Sequence, residues 1–336
     1  MPPVHWREET LRLGRAVEIA GGNGVWVKGN TEGIFPPRHR DTLIEALAEP
    51  SVFAAAERAF RREVHRDGLQ LRVTRENKRA PGASLLMELS NGREREGRWR
   101  LREVSEIRRA AIVMDDLGQD LEPVRKLLTF PYPLTFSIMP HLRYSRETAE
   151  MAFHAGRAII LHMPMEADDF SDHPVGRYGL AVGMPESKVA SVLASDLGSV
   201  PYAAGVNNHM GSKATSDLAL MRELMPLLAR RKLFFIDSRT SGASVALEAA
   251  RRAGVPAFFR SVFLDDRQNV AYTLGQLRLF RRVVERQGIA LAIGHPHPST
   301  LAALAEFLPE FAKADIELVP ASLVVQLPQA ARLTPE

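Results

Sequence analysis

Cysteine is absent from the 336 residues, which excludes disulfides and thiolate metal ligands but leaves the compartment open. Long apolar runs are missing too. None approaches the roughly 20 residues needed to cross a bilayer, so no membrane span is expected. The first ten residues carry no apolar segment behind a basic one, and no signal peptide is expected in this sequence. A cytoplasmic protein and a protein whose export signal has been removed both remain open. Tryptophan is scarce, with Trp6, Trp26 and Trp99 the only three. A strong charge of one sign is also lacking. Residues 1–105 hold 19 Lys and Arg against 15 Asp and Glu, an excess of four, and the remaining 25 and 25 balance. Even the arginine-rich stretch Arg93-Glu-Arg-Glu-Gly-Arg-Trp-Arg100 interleaves acids with bases, as a solvated face does. A nucleic-acid surface needs a cluster of one sign, so no nucleic-acid partner is expected.

What is present divides near residue 105. Residues 1–105 read as a small α+β accessory domain. Leu43, Ile44 and Leu47, then Val52, Phe53, Phe60 and Val64, fall at helical spacing broken by Pro50. Short runs over 69–74, 84–89 and 97–104 alternate like half-covered antiparallel strands, with turns expected at 77–82 and at Asn91-Gly92. The joint between the domains is expected at 104–109.

Residues 106–336 have a different texture. Apolar runs at 110–114, 134–138, 158–163, 203–206, 233–236, 257–260, 289–293 and 316–319 alternate with helical segments. Those segments are expected at 121–128, 145–154, 186–196, 217–230, 244–253, 272–287 and 300–311. Near-continuous apolar strands alternating with helices imply a parallel sheet covered on both faces. Seven or eight such units over about 225 residues suit a (β/α) barrel better than an open sheet.

The polar residues of this α/β domain gather where strands are expected to end. The first strand runs into Asp115-Asp116-Leu117-Gly118, the third into His162-Met163-Pro164-Met165-Glu166, and the fourth into Asn207-Asn208-His209-Met210-Gly211-Ser212. The fifth ends in Asp237-Ser238-Arg239-Thr240 and the seventh in Gly294-His295-Pro296-His297. In a parallel barrel the carboxyl ends of the strands share one face, so these motifs converge. Singly, an Asp pair reads as a solvated turn and a lone His as a hydrogen-bonded structural residue. Together at five strand ends they argue for a shared cation, because buried carboxylates and imidazoles are costly unless paired or ligating. Carboxylate with imidazole suits zinc or another first-row divalent metal, whose open position would hold an acidified water. Met163, Met165 and Met210 are expected to pack the mouth, and Asp265-Asp266 to fix a loop. His297 is expected to make a turn or helix cap, and His141, His154 and His173 to be surface residues.

The sequence resembles the divergent polysaccharide deacetylases, a branch of the NodB-type carbohydrate esterase superfamily. The resemblance rests on Ile112-Val-Met-Asp-Asp-Leu-Gly118, His162-Met-Pro-Met-Glu166, Gly205-Val-Asn-Asn-His-Met-Gly-Ser212, Phe263-Leu-Asp265 and Ala292-Ile-Gly-His-Pro296. It covers residues 110–326, and residues 1–105 lie outside it. It implies a distorted (β/α) barrel that removes acetyl groups from glycans with a divalent metal. It further implies Asp115 as general base, Asp116 as metal ligand and His295 as general acid. The superfamily takes two imidazoles from one motif about a helical turn apart, and this sequence has no such pair. His162 and His209 stand in their place, giving Asp116, His162 and His209 as the implied ligands. Asn207 and Asn208 are candidates to orient a ligand or bind an oxyanion; Glu166, Asp237 and Ser212 are candidates for supporting or substrate contacts.

The expected function is a metal-dependent hydrolase, with zinc as the expected metal, deacetylating an envelope carbohydrate or another small acetylated substrate. The resemblance implies a periplasmic or cell-surface location. The rival readings are a metal hydrolase of another ester, amide or phosphoester, and a non-catalytic carbohydrate-binding or scaffold protein on the same barrel. Only Tyr178 and Tyr272 are placed in loops of the second half as sugar platforms. The oligomeric state is not legible in the sequence.

Overall fold

The computed structural model describes residues 4–28, 42–76, 82–92, 94–168, 176, 178–328 and 333–335. The chain divides into two compact units: Met1–Arg108 with Phe311–Glu317, and Arg109–Glu310 with Leu318–Glu336.

The first unit runs α1 (Val4–Gly21), β1 (Val25–Val27), β2 (Leu43–Ala48), α2 (Pro50–Arg66), β3 (Gln70–Arg75), β4 (Ser84–Ser90) and β5 (Arg95–Glu103). Its strands form one sheet in the order β1-β2-β5-β4-β3, with β2 and β5 parallel and the other neighbours antiparallel. Ile44, Met87, Trp99 and Leu101 on one face pack with Phe53, Phe60 and Val64 of α2 and Leu13 and Val17 of α1. Two expectations are corrected here. Leu43, Ile44 and Leu47 form a strand, because register with β5 from Leu43↔Arg98 to Ala48↔Glu103 overrides their helix-like spacing. Pro50 does not break a helix but begins α2, at a position where a missing N–H costs nothing. The turn at Asn91-Gly92 forms, with Gly92 at φ 87. Residues 77–81 of the other expected turn lie outside the described residues, as does His173. Helix α1 was not anticipated, although Trp6, Leu13 and Val17 lie along one helical face and are buried.

The second part of the chain runs β6 (Arg108–Leu117), α3 (Leu121–Thr129), β7 (Thr135–Ile138), α4 (Ser145–His154), β8 (Ala158–Met165) and α5 (Glu186–Ser199). It continues through β9 (Gly205–Met210), α6 (Leu218–Arg230), β10 (Phe234–Asp237), α7 (Ala246–Arg252), β11 (Ala257–Phe259) and β12 (Val262–Phe263). It closes with α8 (Val270–Gln287), β13 (Ile289–Gly294), α9 (Pro298–Phe307), α10 (Pro309–Lys313), β14 (Ile316–Leu318) and α11 (Ala321–Val324). Eight strands pair in parallel in the order β11-β10-β9-β8-β7-β6-β13-β12. The two edge strands are consecutive in sequence. Arg260 N–H bonds to Asp237 O on one side, and Ser261 N–H bonds to Leu291 O on the other. A single short segment therefore bridges both edges, and the sheet curls into the distorted (β/α) barrel that the alternation implies. One helix expected over 300–311 is two, because Pro309 cannot continue α9 and starts α10 instead.

Gly205 begins β9 directly opposite Phe234, and a β-carbon there would stand 2.4 Å from the Phe234 ring. Gly205→Ala is expected to destabilise the barrel by roughly 1–3 kcal/mol through overpacking, read as a lower urea midpoint at unchanged m-value.

Candidate metal centre

Asp115 and Asp116 lie near the end of β6, His162 in the second half of β8 and His209 next to last in β9, while His295 directly follows β13. Asp115 and Asp116 would face opposite sides of a regular strand. In β6 the register against β7 shifts between Met114↔Phe136 and Leu117↔Ile138, so β6 carries one extra residue there. Asp116 adopts a left-handed φ of 58. This bulge lets both carboxylates reach the same imidazole: Asp115 Oδ2 lies 3.6 Å and Asp116 Oδ1 3.2 Å from His162 Nε2. Strand β9 supplies His209, whose Nδ1 lies 3.1 Å from Asp116 Oδ1 and 3.1 Å from His162 Nε2.

Asn207 sets the protonation of this cluster. It is fully buried inside the barrel, and its amide nitrogen donates to Asp115 Oδ1 and Oδ2 at 2.9 and 3.1 Å. Its carbonyl oxygen must then face His162 Nδ1 at 2.9 Å, and it also accepts from Ser137 Oγ of β7 at 2.7 Å. An acceptor on that side requires the hydrogen to sit on Nδ1, assigned from the bonding pattern, and turns the Nε2 lone pair toward Asp116 and His209. His162 Nε2, His209 Nδ1 and Asp116 Oδ1 thus meet in a triangle of 3.1–3.2 Å sides. Donors around a tetrahedral zinc at about 2.0–2.1 Å stand about 3.3 Å apart, so the set suits a first-row divalent ion. Without a cation a proton must fill that point. Burial disfavours charge on His162, yet Asp115 and Asp116 raise its proton affinity. Burial likewise disfavours a charged Asp116, but the two imidazoles hold its carboxyl far below the usual range. Where protons are held this firmly by acceptors, a metal competes for the same place.

Across the mouth, His295 follows β13 with Nε2 3.7 Å from Asp116 Oδ2. Its Nδ1 bonds to Asp265 Oδ1 at 3.0 Å and its backbone N–H donates to Asp265 Oδ2 at 2.6 Å. Burial disfavours charge on the ring, but the Asp265 bond and then the Asp116 carboxylate prevail, pushing it up to about 9. Asp265, His295 and His297 also lie close enough to suggest a second cation. They suit one less well, because Asp265 Oδ2 already accepts from Thr300 Oγ1 as well, at 2.7 Å. Asp265 is thus more than a loop fastener. His297 occupies the N-cap position of α9 but makes no side-chain cap bond, so the expected capping role is not seen.

The remaining candidates hold the rim together. Glu166 accepts from Val182 N–H at 2.7 Å and Lys213 Nζ at 2.6 Å. Ser212 Oγ accepts from Asp168 N–H, and Asn208 ties Ser238 N–H to the Met210 carbonyl. Asp237, pushed up by burial, accepts from Arg239 N–H and Ser244 Oγ. Met163 and Met165 are buried as expected of packing residues. His141 and His154 are surface residues, though the His141 ring also bonds to the buried Asp196 at 2.9 Å. The sequence reading missed Ser137, a single hydroxyl that no motif marks, and gave no role to Ser238, although it stands in the Asp237-Ser238-Arg239-Thr240 motif. It also missed the role of Asp265, which the Phe263-Leu-Asp265 motif did signal.

A model of the divergent polysaccharide deacetylases matches residues 112–325. The uncharacterized protein YibQ of Escherichia coli (strain K12) is 37% identical over 225 residues, 67% of this chain and 70% of that protein. An uncharacterized protein of Haemophilus influenzae is 38% identical over 209 residues, 62% of this chain and 74% of that one. Among solved structures, an uncharacterized protein from Agrobacterium tumefaciens C58 shares the fold, with a TM-score of 0.62 at 24% identity over 64% of this chain and 88% of that one. With its family motifs at the mouth of one barrel, the chain belongs to the divergent polysaccharide deacetylase family.

Replacing Asn207 by Leu removes the hydrogen bonds it gives to the buried Asp115 carboxylate and takes from the buried His162 N–H. A loss of roughly 1–3 kcal/mol for each group is expected in urea unfolding, against little change for a surface substitution such as Arg286→Ala.

Proposed function

We propose that the barrel is a zinc-dependent hydrolase that removes acetyl groups from an envelope carbohydrate, acting in the periplasm or at the cell surface. The observation that carries this reading is the convergence of Asp116 Oδ1, His162 Nε2 and His209 Nδ1 on one point at the mouth. The family points to acetylated carbohydrate as the substrate class. Asp116, His162 and His209 would hold a divalent ion, which when bound would supply an acidified water and polarise the scissile carbonyl.

The chain's own groups divide the proton transfers. Asp115 is buried beside the ligand triangle, oriented by Asn207, and accepts the proton of the attacking water. His295 stands on the other side of Asp116 as imidazolium. It delivers its Nε2 proton to the leaving nitrogen or oxygen as the tetrahedral intermediate collapses, while Asp265 holds Nδ1 and keeps the ring aimed. Asp115 and His295 thus flank the metal ligands from two sides, as an acid and a base acting on one substrate must.

Metal analysis and acetate release test the reading together. Purified protein is expected to bind about one zinc and to release acetate from acetylated chito-oligosaccharides or peptidoglycan fragments. Asp116→Ala and His209→Ala are expected to lose the metal and at least about 100-fold in rate. Unchanged metal content in both would sink the ligand assignment, and a metal-loaded protein inert on every acetylated glycan would favour a non-catalytic role.

The pH profile separates acid from base. The bond to Asp265 holds the His295 imidazole above its ordinary value, so the ring is protonated at neutral pH and kcat should fall as pH rises through that raised pKa. Asp265→Asn removes the leading cause of the raise and is expected to move that limb toward neutral pH. An alkaline limb indifferent to Asp265→Asn would count against His295 as the acid.

A further inference from the structure

Arg239 follows Ser238 at the end of β10 with a left-handed φ of 55. Its backbone is pinned on both sides: the N–H donates to Asp237 Oδ1 at 2.8 Å, and the carbonyl accepts from Arg260 Nη2 at 2.7 Å. That conformation disfavours a residue with a β-carbon, and these two bonds hold it in place. At the end of β6 the same conformation carries the Asp116 carboxylate onto two imidazoles.

The side chain of Arg239 is half-buried in the electrostatic neighbourhood of Asp237 and Arg260. Its neighbours are already engaged. The Arg260 guanidinium donates to the carbonyls of Ser238 and Arg239 and lies over the Phe263 ring. Both oxygens of Asp237 accept, one from the Arg239 N–H and one from Ser244. Asp115 and Glu166 are likewise bonded, to Asn207 and Lys213. The Arg239 guanidinium makes no hydrogen bond with any described residue. It therefore keeps its fork of donors open on a residue that directly follows Ser238 at the end of β10, and the Ser238 hydroxyl receives Asn207, the residue that also holds Asp115.

We propose that Arg239 binds a carboxylate carried by the substrate, so that the site prefers an acidic N-acetylated sugar to a neutral one. The proposal rests on the deacetylase reading above and narrows it. A guanidinium presents paired N–H donors that match a planar carboxylate, and partial burial strengthens the pair. A neutral sugar offers this group only hydroxyls.

Titration calorimetry on the zinc-loaded protein tests this with N-acetylmuramic acid and N-acetylglucosamine, which differ by a lactyl carboxylate. Wild type is expected to bind the acidic sugar at least about 10-fold tighter, as one charge-assisted contact gives. Arg239→Gly, whose backbone suits the left-handed φ, is expected to fold and to lose the preference, while Arg239→Lys keeps part of it. Equal binding of the two sugars, binding of neither, or a preference that survives in Arg239→Gly would overturn the proposal. So would acetate displacing the acidic sugar at equal strength, since the cation would then serve the product. Acetate release read in parallel keeps the two ideas apart. Selectivity without release leaves the subsite and removes the deacetylase; release with equal kcat/KM on both sugars does the reverse.

Discussion

One extra residue in β6 underlies the arrangement at the barrel mouth. Side chains of consecutive residues in a regular strand point to opposite faces, so an Asp-Asp pair would send one carboxylate inward and one away. The register shift against β7 and the left-handed Asp116 bring both to His162. Asp115 stays buried beside Asn207 while Asp116 reaches the open side, between His209 and His295. Two chemically identical residues thereby acquire different surroundings, which is the condition for different roles.

The second constraint is hydrogen-bond bookkeeping around Asn207. A primary amide has one donor end and one acceptor end, and here each is matched by a neighbour that admits a single assignment. The carboxylate can only accept, so the amide nitrogen faces it; His162 must then donate from Nδ1. Ser137 and Ser238 complete the amide's bonding from β7 and the end of β10. Buried polar networks are stable only when every member is satisfied, and this one reaches across four strands to achieve it. Asp265 does for His295 what Asn207 does for His162, with Thr300 as its own support. Both sides of the candidate centre are therefore oriented from behind by groups that do not themselves face the mouth.

Much of the fold was legible because apolar runs and helical segments alternate with few exceptions after residue 109. Expected strands such as 158–163 and helices such as 145–154 lie within a residue or two of β8 and α4. Where reading and structure differ, long-range pairing is the reason. Leu43, Ile44 and Leu47 fit helical spacing and strand alternation alike, and pairing with β1 and with β5, the latter more than fifty residues away, selects the strand. Of the site residues, Asp116, His162 and His209 stood out because acids and imidazoles at strand ends are chemically conspicuous. Ser137 and Ser238 did not, because a hydroxyl in or beside an apolar strand carries no local mark of what it will face across a barrel. Glu166 and Asp237 were conspicuous for the same chemical reason, and Asn208 and Ser212 as polar residues at a strand end; the hydrogen bonds of all four fasten loops.

The sequence by itself determined the parallel strand–helix alternation, the family and the set of side chains at the strand ends, because periodicity and residue chemistry are local properties. The tertiary structure decided which of those side chains meet. The bulge in β6, the path of Arg260 and Ser261 between the two sheet edges, and the bonds of Asn207 and Asp265 all depend on residues distant in the chain. A strand end specifies which group arrives at the mouth. The direction in which its lone pair points is set by whatever lies behind it, and that is known only once the strands have closed around one another.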